Sequence, residues 1–321
     1  MKNVRLFWMF AIAIADLFFA KSSLAQLPPV GAQIAGNLSI ASDYRPYNIS
    51  LPPGNWQVAS LRYEEVNKFH DFTLSQSAGI EAKAFGEIAL IQITGGKILG
   101  LIAVKARLKT SSKIRTPSIC GDQQRHNHLN TYGLRPPQVI KCLQVKPLDW
   151  SMTDQSQLFE GIKGYLAKQG IKYPVDMVGF QFTEEASRPG RYLEYSYYVN
   201  PDIWGYPNTA SPVDRSPWVQ STVQRDPNKA SFMIALIAYA EAYSSVLSNT
   251  ARDGGSGSGF VAFNPPANAT QRPTGNSQSQ SPQSASGPEA RLKKMQQTCV
   301  SIGFKPGTPG MIDCIKELTS R

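Results

Sequence analysis

Three features of the sequence predict an α+β fold, an antiparallel sheet of hairpins backed by two helices. Two β-rich runs meet at Gly95-Gly96. Two runs rich in Tyr and Phe meet at Arg188-Pro189-Gly190. Segments with helical periodicity, 154–170 and 229–248, follow the first and second of these hairpins.

Taken in order, residues 1–25 have the three parts of a cleavable secretory signal. Lys2 and Arg5 precede an apolar run from Leu6 to Ala20, broken only by Asp16. Lys21-Ser22-Ser23-Leu24-Ala25 follows, with small residues at Ser23 and Ala25, so Gln26 is the expected mature N-terminus. The apolar run is shorter than the roughly 20 residues that span a bilayer. No later segment reads as a membrane span, so the expected location is the periplasm or the medium. Residues 26–50, rich in Pro, Gly, Asn and Ser, show no period and read as an extended arm.

The globular body is expected over 51–252, opening at Leu51-Pro52-Pro53-Gly54-Asn55-Trp56. Gln57–Tyr63 alternates loosely. Glu87–Thr94 and Lys97–Val104 flank Gly95-Gly96, and a two-residue turn needs the positive φ that Gly supplies. Their apolar density predicts central strands. Residues 110–150 are polar and irregular. The helix at 154–170 places Leu158, Phe159, Ile162, Tyr165 and Leu166 on one face, with Thr153 or Asp154 as its cap and Gly170 at its end. Asp176–Thr183 then returns as Arg191–Val199, which carries Tyr192, Tyr195, Tyr197 and Tyr198. Over 200–228 a loop is punctuated by Pro201, Pro207, Pro212, Pro217 and Pro227, with Trp204 and Trp218 as its expected anchors. Asn228 is the expected cap of the 229–248 helix, which is apolar nearly all round and so belongs against the sheet.

Residues 253–288 are dominated by Gly, Ser, Gln, Asn and Pro and read as a disordered linker. Residues 289–321 form a separate unit. Arg291–Ser301 reads as a helix with Gly303 as its left-handed cap. Thr308 and Pro309 suit the first positions of a second helix. The four cysteines fall as two local pairs, Cys120/Cys142 and Cys299/Cys314. An even count in an exported chain reads as disulfides. Three connectivities are possible, and proximity favours 120–142 and 299–314, the latter stapling a helical hairpin too small for a core of its own.

The run Cys299-Val-Ser-Ile-Gly303-Phe304-Lys-Pro-Gly307-Thr308-Pro309-Gly-Met-Ile-Asp-Cys314 resembles a short C-terminal tail of various proteobacterial exported proteins of unknown function. The resemblance covers about the last 30 residues. It implies a bacterial envelope protein and brings no activity with it.

The formal charge of +10 falls to +8 when the signal takes away three cations and one carboxylate. No Lys/Arg block exceeds Lys293-Lys294. Scattered positive charge predicts general attraction to anionic surfaces. Nucleic acid is disfavoured by compartment and by the lack of a basic stripe.

Candidate chemistry is sparse. His126 and His128, near Cys120 and Asp122, are the one close histidine pair, with His70 remote. They are weak candidates for a metal site and read better as a solvated loop pair, so no metal is expected. Tyr192, Tyr195, Tyr197, Trp204 and Tyr206 offer rings that could stack on sugars, although tyrosines also simply favour strands. Glu184, Glu185 and Glu194 read as candidate paired carboxylates for glycoside cleavage, yet neighbours on a strand point to opposite faces. Clustering of Glu194, Asp202, His126 and His128 in one cleft would favour catalysis. No nucleophile elbow, His-Glu-x-x-His or phosphate loop occurs. The sequons at Asn37, Asn48 and Asn268 read as chance matches. No cofactor is expected. The sequence therefore predicts a non-enzymatic binding protein whose partner is an envelope protein, glycan or anionic lipid surface. The alternative is an envelope-polymer hydrolase.

Overall fold

The computed structural model describes residues 27–65, 83–109, 128–135, 139–148, 156–174, 176–186, 190–206, 216–255, 262–266 and Cys299. In chain order these form β1 (Gln33–Ile34), β2 (Asn37–Ile40), β3 (Tyr47–Ser50), β4 (Trp56–Glu65), β5 (Lys83–Thr94), β6 (Lys97–Arg107), β7 (Leu129–Arg135) and β8 (Val139–Leu148). Then come α1 (Gln157–Lys168), β9 (Met177–Ala186), β10 (Arg191–Val199), α2 (Gln220–Val223) and α3 (Pro227–Asp253). Eight strands make one sheet in the order β1-β4-β5-β6-β10-β9-β8-β7, and β2 and β3 pair as a separate ribbon. Every pairing is antiparallel. The fold is thus α+β, with a large antiparallel sheet and few helices.

The sheet is covered on both faces. Alternate residues such as Val58, Ile88, Val104, Phe180 and Tyr195 pack with Phe232, Leu236, Ala240 and Leu247 of α3. On the other face α1 lays Leu158, Ile162 and Leu166 over Ala59, Ile91, Leu101 and Met177. This helix comes very close to β4, since a Cβ at Gly161 would lie 2.1 Å from Ser60 Oγ. Its contacts lie toward the Gly95-Gly96 end of the sheet. The turn residues there have φ of 57° and 73°, the left-handed pair that closes a two-residue hairpin.

α1 ends as expected, with Gly170 at a φ of 66°. α3 is capped two residues before the expected position, by Asp226. Asp226 Oδ1 accepts from the backbone N–H groups of Asn228 (3.0 Å) and Lys229 (3.2 Å), and Pro227 occupies the first turn. Asp outcompetes Asn228 because the proline just after it is preset for helix entry. By length and composition α3 is apolar enough to cross a membrane, which the sequence reading did not foresee. Half of its most apolar window is buried, as in a core helix.

Four expectations are corrected. Residues 27–50 are no free arm, because Leu38, Ile40, Tyr47 and Ile49 are fully buried in the α3-side core. Four-residue strands alternate too briefly to stand out from Gly and Asn. Within 110–150, taken as irregular, lies the hairpin of β7 and β8. Pro147 disguises β8. It pairs with Val178 beyond the point where β7 meets β8 (Leu129 opposite Val145), so its missing N–H breaks no bond to β7. The linker read over 253–288 is anchored in part, since Phe263 packs against Trp204, Phe232 and Tyr239. Cys299 is buried in the same core cluster, so the tail meets the body at that point. The signal, and the helical hairpin apart from Cys299, lie outside the described residues.

Candidate functional site

Beyond the reach of α1, the same sheet face changes from apolar to charged. The register aligns one residue from each of six strands into a row: Arg62 of β4, Glu87 of β5, Lys105 of β6, Glu194 of β10, Thr183 of β9 and Cys142 of β8. The first four alternate in sign. Directly opposed unlike charges suit adjacent strands, where like charges would repel. Lys105 Nζ lies 2.9 Å from Glu87 Oε1, and Arg62 Nη1 lies 3.8 Å from Glu87 Oε2.

Both carboxylate oxygens of Glu194 are engaged. Its Oε1 accepts from Gln181 Nε2 at 2.7 Å, and its Oε2 accepts from the Tyr192 hydroxyl at 2.7 Å. Burial, and then the Glu194 charge, push the Tyr192 hydroxyl far above the ordinary tyrosine range, so it stays a neutral donor. Toward α1, Lys146 Nζ reaches Gln144 Oε1 at 3.5 Å. Burial lowers the Lys146 ammonium from its usual range, and the Glu194 charge opposes that shift. On the other side Arg107 donates to the Gly190 carbonyl at 2.7 Å and lies 3.4 Å from Glu185. Lys105 and Arg107 both sit over the Phe85 ring, at 5.2 and 5.3 Å from its centroid. Held on strands, these groups offer fixed charges and amides to a polar partner.

The residues singled out from sequence do not form one site. Tyr192 belongs to the charged face, but its hydroxyl is spent on Glu194. Tyr195 and Tyr197 lie on the opposite face, in the core with Phe180, Tyr239 and Tyr243. Trp204 and Tyr206 surround Phe232. Tyr192, Tyr195, Tyr197 and Tyr206 are all buried, so these rings make no open stacking surface for sugar. Strand alternation sends them to both sides of a sheet that is covered on both sides.

Glu184 points toward α3, where it accepts from Ser248 Oγ at 2.5 Å and pairs with Arg252 Nε at 2.6 Å. Glu185, as strand geometry requires, faces Arg107 on the other side. Asp202 pairs with Lys97 at 3.0 Å. His128 is buried rather than solvated and bonds the Trp218 carbonyl at 2.6 Å. His126 and Cys120 lie outside the described residues. Glu194, Asp202 and His128 therefore each engage different partners. Among the described residues no group of three or more His, Cys, Asp or Glu could hold a metal ion.

Neither described cysteine is a free thiol, and both Cys142 and Cys299 are disulfide-bonded. Cys120 and Cys314 lie outside the described residues, and so does the expected 120–142 and 299–314 pairing. The sequence reading missed Glu87, Lys105, Gln181 and Lys146. A faint signal was present, since Lys105 and Arg107 alternate with Val104 and Ala106 at the end of an otherwise apolar strand. Comparison with protein-family models, curated proteins and solved structures returns no match.

Proposed function

We propose that the chain is an exported envelope protein that binds a polar partner through the charged half of the α1 face. The observation that carries this reading is the row Arg62, Glu87, Lys105 and Glu194, alternating in sign across four neighbouring strands. Half-buried charges cost desolvation free energy, which a sheet built only for stability avoids with apolar side chains. Retained charges on a rigid sheet give a partner orientation and specificity. The partner class is an envelope protein, a glycan or an anionic surface, and the basic excess favours the approach of anionic material. Export rests on the N-terminal segment, which we propose is removed after Ala25. The oxidised state of Cys142 and Cys299 supports a compartment outside the reducing cytoplasm. The pairs 120–142 and 299–314, with a stapled C-terminal hairpin, belong to the same proposal.

The test is co-sedimentation of the mature chain with purified cell-wall sacculi and, separately, with vesicles of anionic phospholipid. Binding to either that drops about tenfold in Lys105→Glu, with the circular dichroism unchanged, supports the reading. Equal binding by the variant, or no binding to either material and none to envelope proteins in a cross-linked extract, contradicts it.

A further inference from the structure

His128 is a buried imidazole that the charged face does not use. It sits just before β7, and its backbone N–H donates to the Val145 carbonyl at 2.8 Å. Its Nε2 lies 2.6 Å from the Trp218 carbonyl, which can only accept, so Nε2 carries the proton. Its Nδ1 is then a bare lone pair, buried and without a hydrogen-bond partner among the described residues. The turn that it grips is held from a second side, because Ser216 Oγ donates to Asp176 Oδ1 at 3.2 Å and accepts from the Trp218 N–H at 3.2 Å. Trp218 packs on Phe232 at 5.0 Å, and Phe232 in turn packs on Phe263 of the 262–266 segment at 5.5 Å.

We propose that His128 is an acid-sensitive latch, fastening the 216–219 turn to the sheet and, through Trp218 and Phe232, steadying the seat of the 262–266 segment. A second proton must go to Nδ1. It would place a cation in an apolar surround, with a new donor that has nothing to donate to. Among the described residues, the ionisable groups that contact this turn are Asp176, which engages Ser216, and Lys229, whose Nζ lies 5.9 Å from the Trp218 ring centre and is itself positive. Burial is the main influence on the ring and holds its pKa down to about 4, with the Trp218 carbonyl opposing weakly. Opening the turn gives the imidazolium access to water, so acid favours the open form.

The measurement is fluorine NMR of the full mature chain labelled with 5-fluorotryptophan, with the Trp218 line assigned by Trp218→Phe. Far-UV circular dichroism is followed in parallel. The proposal expects the Trp218 line to shift in mildly acid solution while the circular dichroism is constant, and His128→Gln to remove that step. Amide exchange over 216–219 and 262–266, corrected for intrinsic rate, should accelerate on the order of tenfold or more in the wild type. Should His128→Gln fail to fold, imidazole nitrogen-15 shifts of the wild type decide instead. A proton on Nδ1 at neutral pH overturns the proposal. So does a Trp218 line that moves only with global unfolding.

Discussion

The guanidinium carbon of Arg191 lies 3.9 Å above the centre of the Tyr47 ring, and this contact joins two segments that are remote in sequence. Arg191 Nε donates to the Ala251 carbonyl at 2.7 Å, and Nη1 donates to the Arg45 carbonyl at 2.8 Å. The N-terminal ribbon, the start of β10 and the last turn of α3 thereby share one cation. It sits where the helix dipole is negative and the terminal carbonyls lack intrahelical donors. Arg191→Met should cost roughly 3 kcal/mol, because buried carbonyls lose charged donors and a cation–π contact goes with them. Arg191→Lys should recover little, since a point ammonium cannot reproduce the planar fork. Urea unfolding midpoints check both.

Gly179 faces a backbone rather than a space. A Cβ there would lie 2.0 Å from the Tyr197 carbonyl oxygen on β10. Gly179→Ala should therefore cost roughly 3 kcal/mol as strands shift apart. Gly95→Ala meets no atom within 4 Å and carries only the left-handed backbone penalty of about 1 kcal/mol. Thermal melts of the two variants should rank in that order.

Phe263 gives the 262–266 segment an anchor among Trp204, Phe232 and Tyr239. Phe263→Ala should destabilise the body by about 3 kcal/mol, as expected for an aromatic ring lost from a core. A free linker would make the substitution neutral. Differential scanning calorimetry separates the two.

Stability should also depend on pH through His128. Its folded pKa of about 4 lies below the ordinary 6.5, so the unfolded chain takes up the proton first as pH falls. The contribution is full above pH 6.5 and is lost progressively down to about pH 4. At about 1.4 kcal/mol per pH unit the loss comes to about 3 kcal/mol. Comparing urea unfolding of the wild type and His128→Gln at pH 7 and pH 4.5 isolates it, because the carboxylates titrate in both.

Much of the fold was legible because it is local. Gly95-Gly96 fixes a hairpin by turn chemistry, and Leu158, Ile162 and Leu166 fix the buried face of α1 by their spacing. What was hidden depends on neighbours distant in sequence. Glu194 stands beside Lys105 only because β10 lies next to β6 in the sheet, and no local period records that order. The tyrosines of β10 misled for a related reason. Their alternation was visible, but not that both faces of the strand would be covered. Phe263 and the short strands β2 and β3 were masked by the Gly, Asn and Pro around them.

The central claim, that the charged half of the α1 face meets a partner, is tested most directly by photo-crosslinking in living cells. A photoreactive side chain replaces Lys105 on the ladder or, as the control, the exposed Ala242 on the outer side of α3. The expected result is a discrete adduct of one envelope component at position 105, weakened by Glu194→Lys, and none at 242. Equal labelling at both positions, or no adduct at 105 in correctly folded protein, would contradict it.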